Sequence, residues 1–175
     1  MASAPGILLD MDQTDVRIRP VREEDRPDVL ALAPRLAEGV AAWRDHDAAV
    51  RAAERWLTAS IDGEGAVFVA EKGGRVVGVV SVDRQWHFTG AEDAYVGELA
   101  VHPDSVRTGV GRRLLAAAED WARDQGLRHL TLETGAADTT ARRFYAALGY
   151  QEESVRLTRP LTPGNPSSPD PGTAL

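Results

Sequence analysis

The sequence predicts an α/β protein whose mixed β-sheet carries helices on both faces. Three observations lead to this fold class. Apolar runs with a period of two residues alternate with stretches of helical period along the chain. A hairpin signal in the middle predicts antiparallel neighbours, and strand–helix–strand units near the end predict parallel ones. We expect six to seven strands in this sheet.

The first half of the chain begins with one strand and continues with two helical stretches. Residues 14–20 alternate apolar and charged positions, which is typical of a half-buried strand. Residues 22–38 carry apolar residues at helical spacing, with Asp25 at the expected helix start and Pro34 where the helix should end or kink. Residues 45–61 repeat the helical spacing and predict a second helix.

Three consecutive strands should follow. Two β-branched runs within residues 66–86 flank Lys72, Gly73 and Gly74, which predicts a β-hairpin. Residues 94–103 read as the next strand, which Pro103 ends.

The second half alternates helix and strand. We predict a helix over 109–125, a strand over 127–134, a helix over 138–148 and a last strand over 152–160. Gly126 and Gly149 stand where the two helices should stop, and Asp138 or Thr139 should cap the second of them.

Length and charge limit the classes of function. The 175 residues are 43% hydrophobic, which suits one domain, expected over 14–160. A lead-in of 1–13 shows no clear period, and a tail of 161–175 rich in Pro, Gly and Ser should be disordered. The net charge of −7 argues against a protein that binds nucleic-acid phosphates.

The composition also bears on chemistry and location. The chain has no cysteine, which excludes disulfides, thiolate catalysis and cysteine-ligated metals. No metal-ligand spacing is present, so no metal is expected. The start lacks the pattern of a signal peptide, and no apolar run reaches the about 20 residues of a membrane span. The expected location is therefore the cytoplasm, away from the membrane.

A glycine-rich stretch over 106–112, "VRTGVGR", opens the helix of 109–125. Glycines at a helix start let a phosphate approach the free N–H groups. The P-loop string is absent, and Leu114 stands where a dinucleotide fingerprint would need its third glycine. On its own, the stretch is equally consistent with a tight helix start.

Two longer stretches carry a family resemblance. Residues 99–115, "LAVHPDSVRTGVGRRLL", resemble the acyl-CoA-binding motif of the GNAT N-acetyltransferase superfamily. Residues 138–150, "DTTARRFYAALGY", resemble a second motif of that family, in the family's order and separation. The resemblance covers about 15–159. Two positions depart from the family pattern: Val106 replaces a usual Gln or Arg, and Asp138 replaces a usual Asn.

The resemblance implies acetyl-CoA as cosubstrate, held between two splayed parallel strands at 97–101 and 130–133. The N–H near Leu99 would polarise the thioester carbonyl. The implied cofactor contacts are Leu99, Ala100, Val101, Arg107, Thr108, Gly109, Val110, Gly111, Arg112, Asp138, Ala141 and Tyr145.

Two residues are the catalytic candidates. The family places at Tyr145 a general acid that protonates the departing thiolate, and a phenol is protonated at neutral pH. Glu98 is the first candidate for the base, with Glu133 in reserve. Strand alternation places Glu98 on one face with Val96 and Ala100 unless a bulge changes the parity.

Two loops should select the acceptor. They contain Trp43 and Trp86, which could line an aromatic pocket, with Glu98 and Glu133 as further substrate contacts. The leading hypothesis is an acetyl-CoA-dependent N-acetyltransferase of a small primary amine. The alternatives are an acetyltransferase of protein N-termini or lysines, and a regulatory module that binds acyl-CoA without turnover. A homodimer is possible.

Overall fold

A computed structural model describes residues 16–161, and its centre is one mixed five-stranded sheet. The strands lie in the sheet in chain order, and every neighbouring pair is antiparallel except the last. The strands are β1 (Val16–Pro20), β2 (Ala66–Lys72), β3 (Arg75–Trp86), β4 (Glu92–Val101) and β5 (Leu130–Leu132).

Residues 16–161 also form five α-helices, which cover both faces of the sheet, as the sequence predicts. They are α1 (Arg26–Leu30), α2 (Ala33–Ala37), α3 (His46–Asp62), α4 (Val110–Asp124) and α5 (Thr139–Ala147). Pro34 lies in the first turn of α2, so the predicted first helix is broken there into two short ones. Asp45 caps α3 by accepting a hydrogen bond from the Ala48 amide.

The predicted hairpin joins β2 to β3. Its two turn residues, Gly73 and Gly74, have φ values of 57° and 76°. A two-residue turn with positive φ at both positions matches the twist of the strands, and only glycine adopts it without strain. The hairpin therefore forms where the local sequence places it.

Each face of the sheet has its own hydrophobic core. Val29, Leu57 and Val79 pack on the face that α1, α2 and α3 cover. Val80 and Leu114 belong to the core under α4 on the opposite face. Successive residues of β3 therefore point to opposite faces and enter different cores, as the pleat of a strand requires.

A buried ion pair connects β1 to the turn that follows it. The Arg19 guanidinium donates to both carboxylate oxygens of Asp25, at 2.6 and 2.8 Å, and to Glu71 of β2 at 2.6 Å. The side chains of Arg19 and Asp25 are only 8% and 7% exposed. The hydrogen bonds from Arg19 hold the pKa of Asp25 below its ordinary value.

The prediction of a last strand over 152–160 is wrong. Residues 151–161 form no pairing with the described strands, and Val155 and Leu157 are 78% and 89% exposed. Arg156 instead forms an ion pair with Glu133 at 3.0 Å. Alternation creates a strand only where another strand supplies its hydrogen bonds, so the sheet formed by residues 16–161 has five strands rather than the expected six to seven.

Both ends of the chain lie partly outside the described residues. The predicted lead-in of 1–13 is outside them, and so is the tail beyond Leu161. Leu161 itself is exposed.

Candidate functional site

The site begins where β4 and β5 separate. The two parallel strands pair at three successive positions, from Ala94 opposite Leu130 to Val96 opposite Leu132. β4 then continues to Val101, still paired with β3 but no longer with β5. An opening follows between the strands. On β4 it begins where the family resemblance implies, at 97–101, but Leu130–Leu132 of β5, also expected to border it, are paired with β4 instead.

Two residues of β4 direct their backbone groups into this opening. The His102 amide donates to Val77 on the β3 side. Because backbone groups alternate sides along a strand, those of Leu99 and Val101 point away from β3. The opening is therefore edged by main-chain donors and acceptors that an extended ligand can pair with.

One of these acceptors already has a partner. Arg35 of α2 donates from Nε to the Val101 carbonyl at 3.0 Å, and its guanidinium also pairs with Glu38. The pattern of the sequence alone does not reveal this contact, because Arg35 and Val101 are 66 residues apart. A ligand in the opening therefore meets the Arg35 side chain at the end of β4.

The glycine-rich stretch forms the wall at the end of β4. Gly109 caps α4 with φ 83°, and the first amide bonded within the helix is that of Arg113, to the Gly109 carbonyl at 3.1 Å. The amides of Val110, Gly111 and Arg112 precede it and have no helical acceptor. Together with the helix dipole they form an anion-binding end.

The two glycines of this stretch do different work. A Cβ on Gly109 would meet nothing within 4 Å, so glycine serves there to adopt the left-handed conformation. A Cβ on Gly111 would lie 3.3 Å from Cζ of Phe144 in α5. Gly111 therefore allows α5 to pack closely against the first turn of α4.

The loop before Gly109 contains a departure from ordinary backbone geometry. Arg107 has φ 62°, the one positive φ among the described residues other than glycine. Thr108 steadies the loop by donating from Oγ1 to the Ser105 carbonyl at 2.7 Å. Val106 is 43% exposed and adds no charge, so Arg107 and Arg112 are the cations beside these amides.

Helix α5 borders the opening on its other side. Asp138 caps the helix, as predicted, by accepting from the Ala141 amide at 2.8 Å. Tyr145 lies two turns further along, with its ring 5.3 Å from Phe144 and 5.7 Å from Tyr150 between centroids. Burial, with a smaller effect from the Asp138 carboxylate, raises the pKa of Tyr145 to about 12. The phenol is therefore a proton donor throughout the neutral range.

The loop after α2 crosses the mouth of the opening. A Cβ on Gly135 would lie 2.1 Å from the Gly39 carbonyl oxygen, and one on Gly39 would lie 3.3 Å from Asp138 Oδ2. Only glycine permits so close an approach of two backbones at 135. This contact brings the segment between α2 and α3 against the β5–α5 loop.

Glu98 lies on the other side of β4, under α3. Two residues of β4, Gly97 and Glu98, lie opposite the single residue Ser81 of β3, which makes a β-bulge. As a result Glu98 faces the α3 side with Ala100, while Val96 faces the α4 side. The unbulged alternation, with all three on one face, is wrong for this reason.

Two serines hold the Glu98 carboxylate. Ser60 of α3 donates to Oε2 at 3.0 Å, and Ser81 donates to the same oxygen while accepting from the Glu98 amide at 2.9 Å. Glu98 is only 6% exposed. Neither serine belongs to a motif. The two are 21 positions apart in the chain and meet at Glu98 only in the fold, so no sequence pattern indicated their role.

A cavity of about 270 Å³ lies beside this carboxylate, between α3 and the sheet. Tyr95, Ser60, Ser81 and Gly97 are on its wall, and Asp83 is at its exposed edge. Burial is the main cause that raises the pKa of the Tyr95 phenol, with the carboxylates of Glu133 and Glu98 adding to it. The Tyr95 phenol is therefore near both carboxylates.

The two tryptophans predicted to form an aromatic pocket are exposed at the surface. Trp43 is 59% exposed and Trp86 is 72% exposed, and neither lines this cavity. Glu133 is exposed and paired with Arg156. A second cavity of about 310 Å³, lined by Arg84 and His129 among others, lies at the end of β4 remote from the opening.

The described residues contain neither a candidate metal cluster nor a candidate membrane helix. Over residues 16–161, no group of three or more His, Cys, Asp or Glu side chains is arranged to hold a metal ion. Within the same part of the chain, no helix has the length and apolar character needed to cross a membrane.

Comparison with known proteins gives a family match. The model of the acetyltransferase (GNAT) family matches residues 26–150. An aminoglycoside N(6')-acetyltransferase type 1 of Stenotrophomonas maltophilia is 39% identical over 115 residues, which cover 61% of this chain and 75% of that protein. An aminoalkylphosphonate N-acetyltransferase of Salmonella typhimurium is 35% identical over 96 residues, 53% of this chain and 61% of that protein.

Solved structures share the fold at lower identity. A putative acetyl transferase from Pyrococcus furiosus superposes with a TM-score of 0.70 at 20% identity, covering 84% of this chain and all of that one. AAC(6')-Iy in complex with the bisubstrate analogue CoA-S-monomethyl-acetylneamine gives a TM-score of 0.63 at 21% identity, covering 84% and 99%.

Proposed function

The chain belongs to the acetyltransferase (GNAT) family and is an N-acetyltransferase, and we propose that it transfers the acetyl group of acetyl-CoA to a primary amine of a small molecule. The observation that carries this proposal is the opening between β4 and β5, which joins an anion-binding helix end to a protonated phenol.

The residues around the opening fit acetyl-CoA in three ways. The free amides of Val110, Gly111 and Arg112 suit the pyrophosphate, with Arg107 and Arg112 adding positive charge. The backbone of Leu99 and the amide of Val101 suit the extended pantetheine arm, because they have no partner strand. Asp138 and Ala141 lie across the opening on α5, where they would border the arm.

The residues around the opening would position the two substrates, polarise the thioester carbonyl and transfer protons. Acetyl-CoA supplies a thioester whose C–S bond breaks as the amine forms a C–N bond. The Leu99 amide would donate to the carbonyl oxygen of that thioester, and the Tyr145 hydroxyl would give its proton to the leaving sulfur.

Glu98 would accept the proton that the amine loses. Its carboxylate is held by Ser60 and Ser81 at the bulge, one residue before Leu99. Both serine hydroxyls donate to Oε2, so Oε1 is left to accept from a water that would relay the proton from the amine. Glu133 is the less suitable group, because it is exposed and paired with Arg156.

A small acceptor is favoured over a peptide. The cavity beside Glu98 has about 270 Å³, slightly below the roughly 300 Å³ at which pockets begin to take drug-sized ligands. The relatives named above are called N-acetyltransferases of an aminoglycoside and of an aminoalkylphosphonate, both small amines.

The test measures binding and turnover separately. Acetyl-CoA binding is followed by calorimetry, and transfer is followed by a colorimetric reagent for the thiol that is released. The chain has no cysteine, so every thiol signal comes from coenzyme A. We expect micromolar binding and turnover with at least one member of a panel of small primary amines.

The control for this assay is acetyl-CoA without an amine, which measures hydrolysis. Binding without amine-dependent thiol release would contradict the proposal for small amines. Turnover with peptide substrates alone would replace it with the protein-acetylating alternative.

A further inference from the structure

We propose that the cavity between α3 and the sheet is the acceptor pocket, and that Asp83 at its edge selects amines that carry a second positive charge. The inference rests on the proposed function, because it assigns the acceptor of the same reaction. It adds the location of the acceptor and its chemical class, a compact dication.

The position of the cavity relative to the opening is the first argument. Gly97 lines the cavity, and Leu99 is two residues further along the same strand, which is about 7 Å. Gly97 is exposed at the bulge and carries no side chain that would separate the two spaces. A short amine held in the cavity can therefore reach the thioester from the face opposite α4.

The charge of the cavity is the second argument. None of the ten residues that line it, all within the described part of the chain, is basic. Glu98 lies behind Ser60 and Ser81, which are both on the wall. A negative, partly buried space of this kind favours a cation over a neutral molecule.

Asp83 provides a second, separate negative charge. Its Oδ1 accepts from the neighbouring Arg84 amide at 2.7 Å, and it forms no ion pair with any residue of 16–161. The Arg84 guanidinium turns away from it to Glu92 and Gln125. Asp83 is thus a carboxylate at the cavity edge without a competing cation, which suits the distal ammonium of a diamine.

Tyr95 and the serines would complete the recognition. The Tyr95 ring on the cavity wall provides an aromatic surface for a cationic or aliphatic segment. Ser60 and Ser81 orient the Glu98 carboxylate, so they act as positioning residues. The small volume limits the acceptor to a short chain or a single ring.

The experiment compares matched amines that differ only in the second charge. Butylamine is paired with 1,4-diaminobutane, and cyclohexylmethylamine with 1,3-bis(aminomethyl)cyclohexane. We expect the wild-type protein to prefer the diamine of a pair by about tenfold in kcat/KM, the size of one partly exposed charge-assisted contact. Asp83→Asn should remove most of this preference by raising KM for the diamine.

Two further variants separate charge from location. Asp28→Asn removes an exposed carboxylate of α1 that does not line the cavity, and is the matched control that should keep the preference. Ala59→Trp fills the cavity from α3 and should raise KM for every amine while leaving the calorimetric affinity for acetyl-CoA unchanged. Thermal melting confirms that each variant is folded.

The outcomes are distinguishable from failure of the proposed function. Acetyl-CoA binding with no turnover of any amine would overturn the proposed function itself. Turnover without preference for diamines, or a preference that survives Asp83→Asn, would overturn the assignment of Asp83. Unchanged amine kinetics in Ala59→Trp would overturn the location of the pocket.

Discussion

The two edges of β4 differ in how completely they are paired. Along one edge, β3 accompanies β4 from Glu92 to Val101, with a single bulge at 97–98. Along the other, β5 pairs with it at only three positions. The paired edge holds the two cores together, whereas the other leaves backbone groups for a ligand, so one strand serves both stability and function.

This comparison predicts that substitutions at the two edges affect different measurements. A change beside the open edge should lower activity and leave unfolding nearly unchanged. A change in the network that supports the paired strands should lower the free energy of unfolding.

Tyr145→Phe should lower kcat by about 10²- to 10⁴-fold, the usual contribution of a general acid. The change removes one hydroxyl, and no hydrogen bond joins that hydroxyl to the rest of 16–161, so stability should hardly change. Steady-state kinetics and thermal melts provide the two readouts. Tyr150→Phe is the matched control, since the Tyr150 hydroxyl bonds Glu119 at 3.4 Å instead, and its kcat should change only a few-fold.

An unchanged kcat in Tyr145→Phe would contradict the assignment of Tyr145 as the general acid. An equal loss in Tyr150→Phe would indicate that the aromatic cluster acts through packing. Either result would contradict the expectation that a substitution beside the open edge of β4 lowers activity without affecting packing.

Asp25→Ala should destabilise the fold by about 3–5 kcal/mol, the cost of leaving a buried charge without its partner. Arg19 would remain buried between β1 and β2 with only Glu71 to balance it. Urea unfolding measures the loss. Asp62→Ala, which breaks the exposed ion pair with Arg26, is the control and should have a much smaller effect.

The same pair should make stability depend on acidity. Arg19 lowers the pKa of Asp25 in the folded state. The stabilisation is therefore complete well above about pH 4, the pKa of an unfolded aspartate, and is lost as the pH falls below it. Parallel stability curves for the wild type and Asp25→Ala between pH 5 and 2 would contradict this coupling.

Gly78→Ala should destabilise by about 1–3 kcal/mol, because the added methyl overpacks a filled core. Its Cβ would lie 3.0 Å from Leu114 Cδ1 and 3.1 Å from the Ala100 carbonyl, both beside the paired edge. A Cβ at Gly111, on the open edge, would lie 3.3 Å from the end of the Phe144 ring and at an ordinary contact distance of 3.8 Å from Val101 Cγ2. The effect of Gly111→Ala on unfolding should stay below about 1 kcal/mol, and a larger loss than in Gly78→Ala would reverse the comparison.

Local signals account for the parts of the fold that the sequence predicted well. The hairpin at Gly73 and Gly74, the cap at Asp138 and the break at Pro34 each depend on neighbours within a few residues. The prediction of a last strand over 152–160 failed because two-residue alternation does not say whether a partner edge is present.

The candidate site divides in the same way. The motif residues around Gly109 and Tyr145 border the opening, and the sequence pattern alone identified them. The bulge that turns Glu98 toward α3 could not be predicted from the sequence pattern, because it depends on the register between β3 and β4.

The residue pattern was enough to predict the fold class, the family and the helix end that we propose to bind an anion. These follow from periodicity, glycine positions and two spaced motifs, which are properties of short segments. The fold alone reveals that Ser60 and Ser81 hold Glu98 and that a cavity lies beside the bulge. It also reveals that Arg35 reaches the Val101 carbonyl. Such contacts join segments far apart in the chain, and their geometry depends on how the helices pack on the sheet.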